Sequence, residues 1–469
     1  MRRYLPTFEE IARACSGDLL GGEKRRSRRP SGVSTDTRTL RRGELFVALK
    51  GERHDGHDFL QQALEKGASG LMVSAVPPAL PAQPGAETPV FILVRDTLRA
   101  LQDLSLLVRG RSGCVAIGIT GSCGKTMTKD LLGSILGQRH SVVASHKSHN
   151  NEVGVPLTLL RLRPDTEFAV VEMGSRGPGH IRELARLVRP DIGVITLIGR
   201  AHLETFGDLR GVMRAKGELL RTLPPQGKAV LNADDPFFRE LRALSPCPVI
   251  SFGLAGGAEV RAGDVRIEEG GAGVSFVLRL KGGGERRVRL RMPGRHTVTN
   301  ALAAAAAAVA AGAGLDEIEG GLMNAVATEW RMEMIKKPRE ITVINDAYNA
   351  NPESMRAALE AMREMALRSR AIAVLGDMAE LGAASEESHR EVGKMAVDYG
   401  TDILIAVGRR ARAIARAARE SGLPKGSVFT ASGIDEAASI LRAILEPGDV
   451  VLIKGSRFMG MERLVEMVA

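Results

Sequence analysis

The chain has 469 residues, too many for one ordinary core, and at roughly 100–200 residues per domain it predicts two to four, with three the working number. With 44% hydrophobic and 26% charged residues the composition excludes a disordered chain and predicts a soluble globular protein. The net charge of +10, from 65 Lys+Arg against 55 Asp+Glu, favours anionic ligands. Only 12 Phe, 3 Tyr and 1 Trp are present and the arginines are dispersed, so base stacking is poorly served and a phosphorylated small molecule is expected rather than nucleic acid.

Residues 1 to about 110 mix short helical and strand patterns. LFVAL (45–49) and GLMVS (70–74) read as strands, KRRSRR (24–29) as a solvated loop, and the Pro-rich stretch Pro77–Pro89 as a surface loop. This segment is expected to be a small α/β domain. From Val115 a buried strand, a Gly loop and a helix are followed by the apolar strands FAVVE (168–172), IGVITLI (192–198) and KAVLNA (228–233), an alternation that predicts a mostly parallel sheet with crossover helices. Between Val260 and Met292 apolar and polar residues alternate around Gly-rich turns, as in VSFVLRL and RRVRLRM, which predicts appended antiparallel strands. Thr297–Ala313 is a small-residue helix suited to close packing.

A second strand–helix series runs through ITVIND (341–346), AIAVLGD (371–377), DILIAVG (402–408) and DVVLIKG (449–455). It predicts a Rossmann-like, doubly wound domain. The expected fold class is therefore α/β in three domains: 1–110, a central P-loop domain at 111–327, and 328–469.

The strongest local signal is Gly118-Ile-Thr-Gly-Ser-Cys-Gly124-Lys125-Thr126, a complete GxxxxGKT between a strand and a helix. Backbone N–H groups of Gly121, Ser122, Cys123 and Gly124 can wrap phosphate oxygens, Lys125 can reach the terminal phosphates, and the Thr126 hydroxyl can ligate Mg²⁺. Glu172 ends one strand, His202 follows another and Lys216 lies in the next helix. All three are therefore expected at the C-terminal edge of a parallel sheet, where ligands bind. Singly, each reads equally well as a cap, a loop histidine or a solvated charge; their joint placement carries the weight. The four cysteines are widely spaced without a CxxC pair, so neither a zinc site nor a disulfide framework is expected. No apolar run suits a signal peptide or a membrane span, and a cytoplasmic location is expected.

GITGSCGKT, NNEVGVPLTLL, VVEMGSRGPGHI, AHLETFG, RAKGEL and LNADDP together resemble the Mur ligases in order and spacing. STDTRTLRRGELFVALKGERHDGHDF (34–59), NDAYNANPESMRAAL (345–359), LGDMAELG (375–382) and IKGSR (453–457) resemble the MurF type. The resemblance implies an ATP-dependent ligase that joins D-alanyl-D-alanine to UDP-MurNAc-tripeptide through an acyl phosphate, acting as a monomer on these small-molecule substrates.

It also implies residue roles. Lys125, Thr126 and Glu172 would handle the triphosphate and a first Mg²⁺, His202 would ligate a second, and Lys216, if carbamylated, would support that metal. Asn300 matches the adenine contact, while Arg331 and Asp346 match residues that reach the nucleotide from the C-terminal domain. Ser34, Asp36, Arg38, Asp55, Gly56 and His57 match the pattern for the uridine-diphosphate end of the substrate. Asn150 and Asn151 would contact its peptide or sugar, and Tyr348, Asn349 and Asn351 the incoming D-alanyl-D-alanine. Two departures stand out. Cys123 occupies a P-loop position often held by a polar residue, and Trp330 precedes Arg331 where Gly is common. Two rival readings are a ligase of the same superfamily for a single amino acid or another amine, separable by which amine drives phosphate release, and a P-loop switch without ligase chemistry, which predicts slow hydrolysis indifferent to a UDP-linked carboxylate.

Overall fold

The computed structural model describes residues 5–75, 89–271, 273–326, 329–367 and 369–468, so most of the expected Pro77–Pro89 loop lies outside the described residues. The chain divides into two compact units. One takes residues 1–118, 140–173 and 182–190, and the other 119–139, 174–181 and 191–469.

In the first unit, β1 (Asp18–Leu20), β2 (Val33–Ser34), β3 (Leu45–Val47), β4 (Gly70–Val73) and β5 (Val90–Leu93) form a sheet ordered β1-β5-β4-β3-β2. All pairs are parallel except β1 with β5. β3 and β4 are buried at every residue, the pattern of strands covered on both faces, which is why LFVAL and GLMVS read as unbroken apolar runs. β6 (Val115–Thr120) carries the chain from this unit into the other. Returning to the first unit, β7 (Val142–Ala144) pairs in parallel with the fully buried β8 (Phe168–Glu172).

In the second unit, β9 (Ile192–Ile195), β10 (Lys228–Asn232), β11 (Val249–Gly253), β12 (Val260–Ile267), β13 (Val274–Leu280) and β14 (Glu285–Leu290) lie side by side in that order. The first four are parallel and β12 to β14 antiparallel, as the alternating pattern predicts. β9 stops three residues short of the end of the IGVITLI run. The Ile198 N–H bonds instead to Asp235 Oδ2 at 2.6 Å. The helix His296–Ala311 is buried along almost its whole length. Its alanines let backbones approach closely, since each adds only a methyl group between partners.

The same unit holds a six-stranded sheet. It consists of β15 (Glu333–Lys336), β16 (Thr342–Asp346), β17 (Ala371–Gly376), β18 (Ile403–Val407), β19 (Val428–Ala431) and β20 (Val450–Lys454), ordered β15-β16-β20-β17-β18-β19. Only β15 is antiparallel. Alternate residues serve opposite faces. Ile344, Leu375, Leu404 and Leu452 pack with Met355, Leu359, Val392 and Ile414 from three helices, while Val343, Val374, Ile405 and Ile453 pack with Leu441 and Leu464 from two others. Helices on both faces make this a doubly wound sheet. β15 and β19 had no counterpart among the predicted strands; both are short edge strands with weak apolar runs.

Candidate active site

The P-loop belongs to the second unit. Gly121 (φ 149°) and Gly124 (φ 82°) adopt backbone conformations that side chains rarely take. A Cβ on Gly121 would lie 1.9 Å from Thr196 Oγ1, and one on Gly124 would lie 2.2 Å from Asn300 Oδ1. The loop is thus a tight backbone cradle closed by two polar side chains. Lys125 opens the helix Lys125–Leu136, and its Nζ donates to the Gly121 carbonyl at 2.7 Å, an interaction that phosphate oxygens can replace. Thr126 is buried. The Ser122 hydroxyl donates to the Gly199 carbonyl at 2.9 Å, and Thr196 Oγ1 donates to the Cys123 carbonyl at 2.5 Å. Asn300 donates from Nδ2 to Met127 Sδ at 3.2 Å, which fixes its amide beside the loop.

Lys216 is the last residue of the helix Leu209–Lys216 and is 1% exposed. Burial, reinforced by the positive charge of Lys125, lowers its amine pKa to about 7. Burying an ammonium destabilises its charged form, and Glu218 offsets this only in part, so a substantial fraction of the amine is uncharged near neutral pH. His202 stands in a left-handed conformation (φ 57°) at the head of the helix Leu203–Phe206, and its Nδ1 lies 2.7 Å from Glu380 Oε2.

Asp346 ends β16. Its Oδ1 accepts from the Met332 N–H at 3.2 Å, and its Oδ2 from Lys454 Nζ at 2.5 Å. Arg331 stacks its guanidinium 4.0 Å from the centre of the Tyr348 ring. Trp330, where Gly is common in the resembled family, adopts φ 60° and lies under the Arg457 guanidinium at 4.6 Å. The left-handed backbone that glycine would supply is therefore kept despite the bulky residue. The Asn349 carbonyl accepts from Lys454 at 2.9 Å. Asn351 caps the helix Pro352–Ala366 through a capping box with Ser354, and its Nδ2 lies 3.1 Å from Cys123 Sγ. Burial raises the Cys123 pKa, which makes this thiol a small packed group and not a reactive one.

The remaining expected residues lie in the first unit. Glu172 is fully buried, accepts from Asn150 Nδ2 at 2.7 Å, and its N–H bonds to Ser145 Oγ at 3.0 Å. Asn151 Oδ1 receives the Val153 and Gly154 N–H groups at 3.3 and 2.9 Å, in the turn that leads into the helix Gly154–Leu159. Asp36 receives a two-pronged bond from the exposed Arg38 guanidinium (3.0 and 2.7 Å), which holds its carboxyl below the usual range. Ser34 Oγ donates to the Asp36 carbonyl at 3.0 Å. Asp55 pairs with His57 Nδ1 at 2.6 Å, and the Ser74 N–H bonds to His57 Nε2 at 3.0 Å. Gly56 has a packing reason of its own, because a Cβ there would meet Leu49 N at 2.7 Å.

Two residues were not singled out from sequence. Lys454 is 2% exposed and anchors Asp346, and Glu380 engages His202. Both sit inside IKGSR and LGDMAELG, motifs noted for resemblance alone; an acid or a lysine within such a motif was the available signal. Among the described residues no three His, Cys, Asp or Glu cluster as metal ligands. The hydroxyl oxygen of Thr126, just after the phosphate cradle, is a donor of the kind that suits Mg²⁺, which is commonly held by one or two side chains with phosphate oxygens and water.

Three family models match the chain: the Mur ligase family catalytic domain over 29–107, the Mur ligase middle domain over 119–308, and the Mur ligase glutamate ligase domain over 330–457. The UDP-N-acetylmuramoyl-tripeptide–D-alanyl-D-alanine ligase of Escherichia coli is 37% identical, over 98% of this chain and 97% of its own. Its Bacillus subtilis counterpart is 36% identical, over 93% and 92%. Among solved structures, MurF from Acinetobacter baumannii is 32% identical with a TM-score of 0.84 over 98% of each chain. MurF ligase from Thermotoga maritima in complex with ADP is 27% identical, with a TM-score of 0.77 over 93% of this chain and 96% of its own.

Proposed function

Because the chain belongs to the Mur ligase family and to its MurF type, we propose that it is an ATP-dependent amide ligase that adds D-alanyl-D-alanine to UDP-N-acetylmuramoyl-tripeptide in cytoplasmic peptidoglycan precursor synthesis. The observation that carries this reading beyond the family match is the pairing, within one unit, of a phosphate cradle closed by Asn300 with a buried Lys216 whose pKa is depressed in the field of Lys125. That combination suits a site that binds ATP and also keeps a basic amine uncharged.

A terminal carboxylate oxygen of the tripeptide attacks the γ-phosphorus of ATP, and ADP leaves. The amine nitrogen of D-alanyl-D-alanine then attacks the acyl carbon, phosphate leaves and the nitrogen loses a proton. Lys125 neutralises charge on the transferring phosphoryl group; Thr126 would hold a Mg²⁺, a role the family resemblance also implies for Glu172, and His202 with a carbamylated Lys216 would hold a second. When bound, such a metal would supply Lewis-acid stabilisation of phosphoryl oxygens. Carbamylation requires an uncharged amine, which the depressed pKa of Lys216 supports. Asn300 contacts adenine, while Arg331 and Asp346 reach the nucleotide and shield the acyl phosphate from water. Residues 328–469 would receive D-alanyl-D-alanine with Tyr348, Asn349 and Asn351, and 111–327 would bind ATP. Residues 1–110, with Ser34, Asp36, Arg38 and Asp55–His57, would hold the uridine diphosphate. The working unit would be a monomer.

The test is product mass after incubation with ATP, Mg²⁺, UDP-MurNAc-tripeptide and D-alanyl-D-alanine. The expected result is the pentapeptide, with turnover lowered at least about 10²-fold in Lys125→Ala while its circular dichroism is unchanged. A product formed only with a single amino acid, or wild-type turnover by Lys125→Ala, would overturn the assignment.

A further inference from the structure

Resting on the reading that His202 ligates a metal ion, we propose that Glu380 is a positioning residue that fixes the orientation and tautomer of the His202 imidazole. Glu380 Oε2 lies 2.7 Å from His202 Nδ1. An ionised carboxylate only accepts, so Nδ1 carries the hydrogen and, in the neutral ring, Nε2 keeps the lone pair that a cation requires. Metal-binding histidines are commonly held this way through their other ring nitrogen.

The surroundings of Glu380 favour such a role over a chance surface pair. Glu380 itself adopts φ 62° and faces His202 at φ 57°. The bend that aims its carboxylate is anchored through the two residues before it. The Met378 N–H bonds to His389 Nε2 at 3.0 Å, and the Ala379 N–H to Ser456 Oγ at 2.9 Å. Backbone pairing completes the contact, with the Glu204 N–H donating to the Glu380 carbonyl at 3.2 Å. Two residues on, Gly382 (φ 54°) lies so near Glu204 that a Cβ would stand 2.9 Å from its Cα. The loop after β17 is therefore moulded onto the His202 turn, and seating this loop completes the orientation of the imidazole.

The test uses full-length protein carrying ¹⁵N-histidine. Nitrogen spectra of the metal-free protein are expected to show His202 with hydrogen on Nδ1, and Glu380→Ala to lose that preference. Glu380→Ala should also raise the Mg²⁺ concentration for half-maximal turnover by about 10-fold or more, with Glu380→Gln intermediate and thermal midpoints unchanged. An unaltered His202 spectrum together with wild-type Mg²⁺ dependence in Glu380→Ala would overturn the proposal. The underlying reading fails separately, if His202→Ala retains wild-type turnover and Mg²⁺ dependence or if the wild type makes no pentapeptide.

Discussion

Lys216 shows how one buried charge sets a pH dependence. Its folded pKa of about 7 is below the ordinary lysine value of 10.5, so between these values the unfolded chain binds more protons than the folded one. Stability contributed by this site therefore rises with pH across that window, and below about 7 the burial penalty stands in full. Lys216→Met, which keeps the bulk and removes the charge, is expected to exceed the wild type in stability most at or below neutral pH. Its advantage should shrink as pH rises toward 10. Urea unfolding of both proteins across that range, without added bicarbonate, checks this; an advantage that grows with pH would refute it.

The helix His296–Ala311 shows what an element can demand of its residues. Ala304 and Ala305 are fully buried, and the helix packs against Lys125–Leu136, which Leu315–Asn324 in turn approaches so closely that a Cβ on Gly321 would stand 2.2 Å from Ile135 Cα. Small residues here permit the backbone approach that brings Asn300 to the P-loop. Ala304→Leu is expected to destabilise the fold by about 1–3 kcal/mol through overpacking and to weaken nucleotide affinity by displacing Asn300. Thermal denaturation with and without ADP measures both effects. The Ala-rich tract and its helical character were legible in the sequence. Its neighbours were not, because composition reports that a helix can pack closely but not against what.

Within the second unit, Arg200 ties distant stretches of the chain together. Its Nε donates to Glu353 Oε1 at 2.9 Å and its two terminal nitrogens engage both oxygens of Glu391, and these acids raise its pKa. One guanidinium thus joins the loop before His202 to the helices Pro352–Ala366 and Ser385–Asp398. Arg200→Ala is expected to cost about 1–3 kcal/mol, since partly buried charged hydrogen bonds are lost. It should also speed hydrogen exchange at the start of Pro352–Ala366 relative to β17; uniform protection in the variant would argue against a local tie.

The sequence by itself determined the phosphate cradle, the strand–helix alternation and the small-residue helix. Each depends on neighbours along the chain: glycine spacing, apolar runs of strand or helix period, turn residues. Glu172 ending FAVVE and Lys216 in its helix were legible for the same reason. Only the tertiary structure decided that Lys216 is buried in the field of Lys125, that Asn351 caps a helix while Asn151 holds the backbone leading into another, that Lys454 secures Asp346, and that Glu380 meets His202. Those properties arise from burial and from encounters between segments many residues apart, and the periodicity of a local stretch carries no record of which distant side chain will share its space.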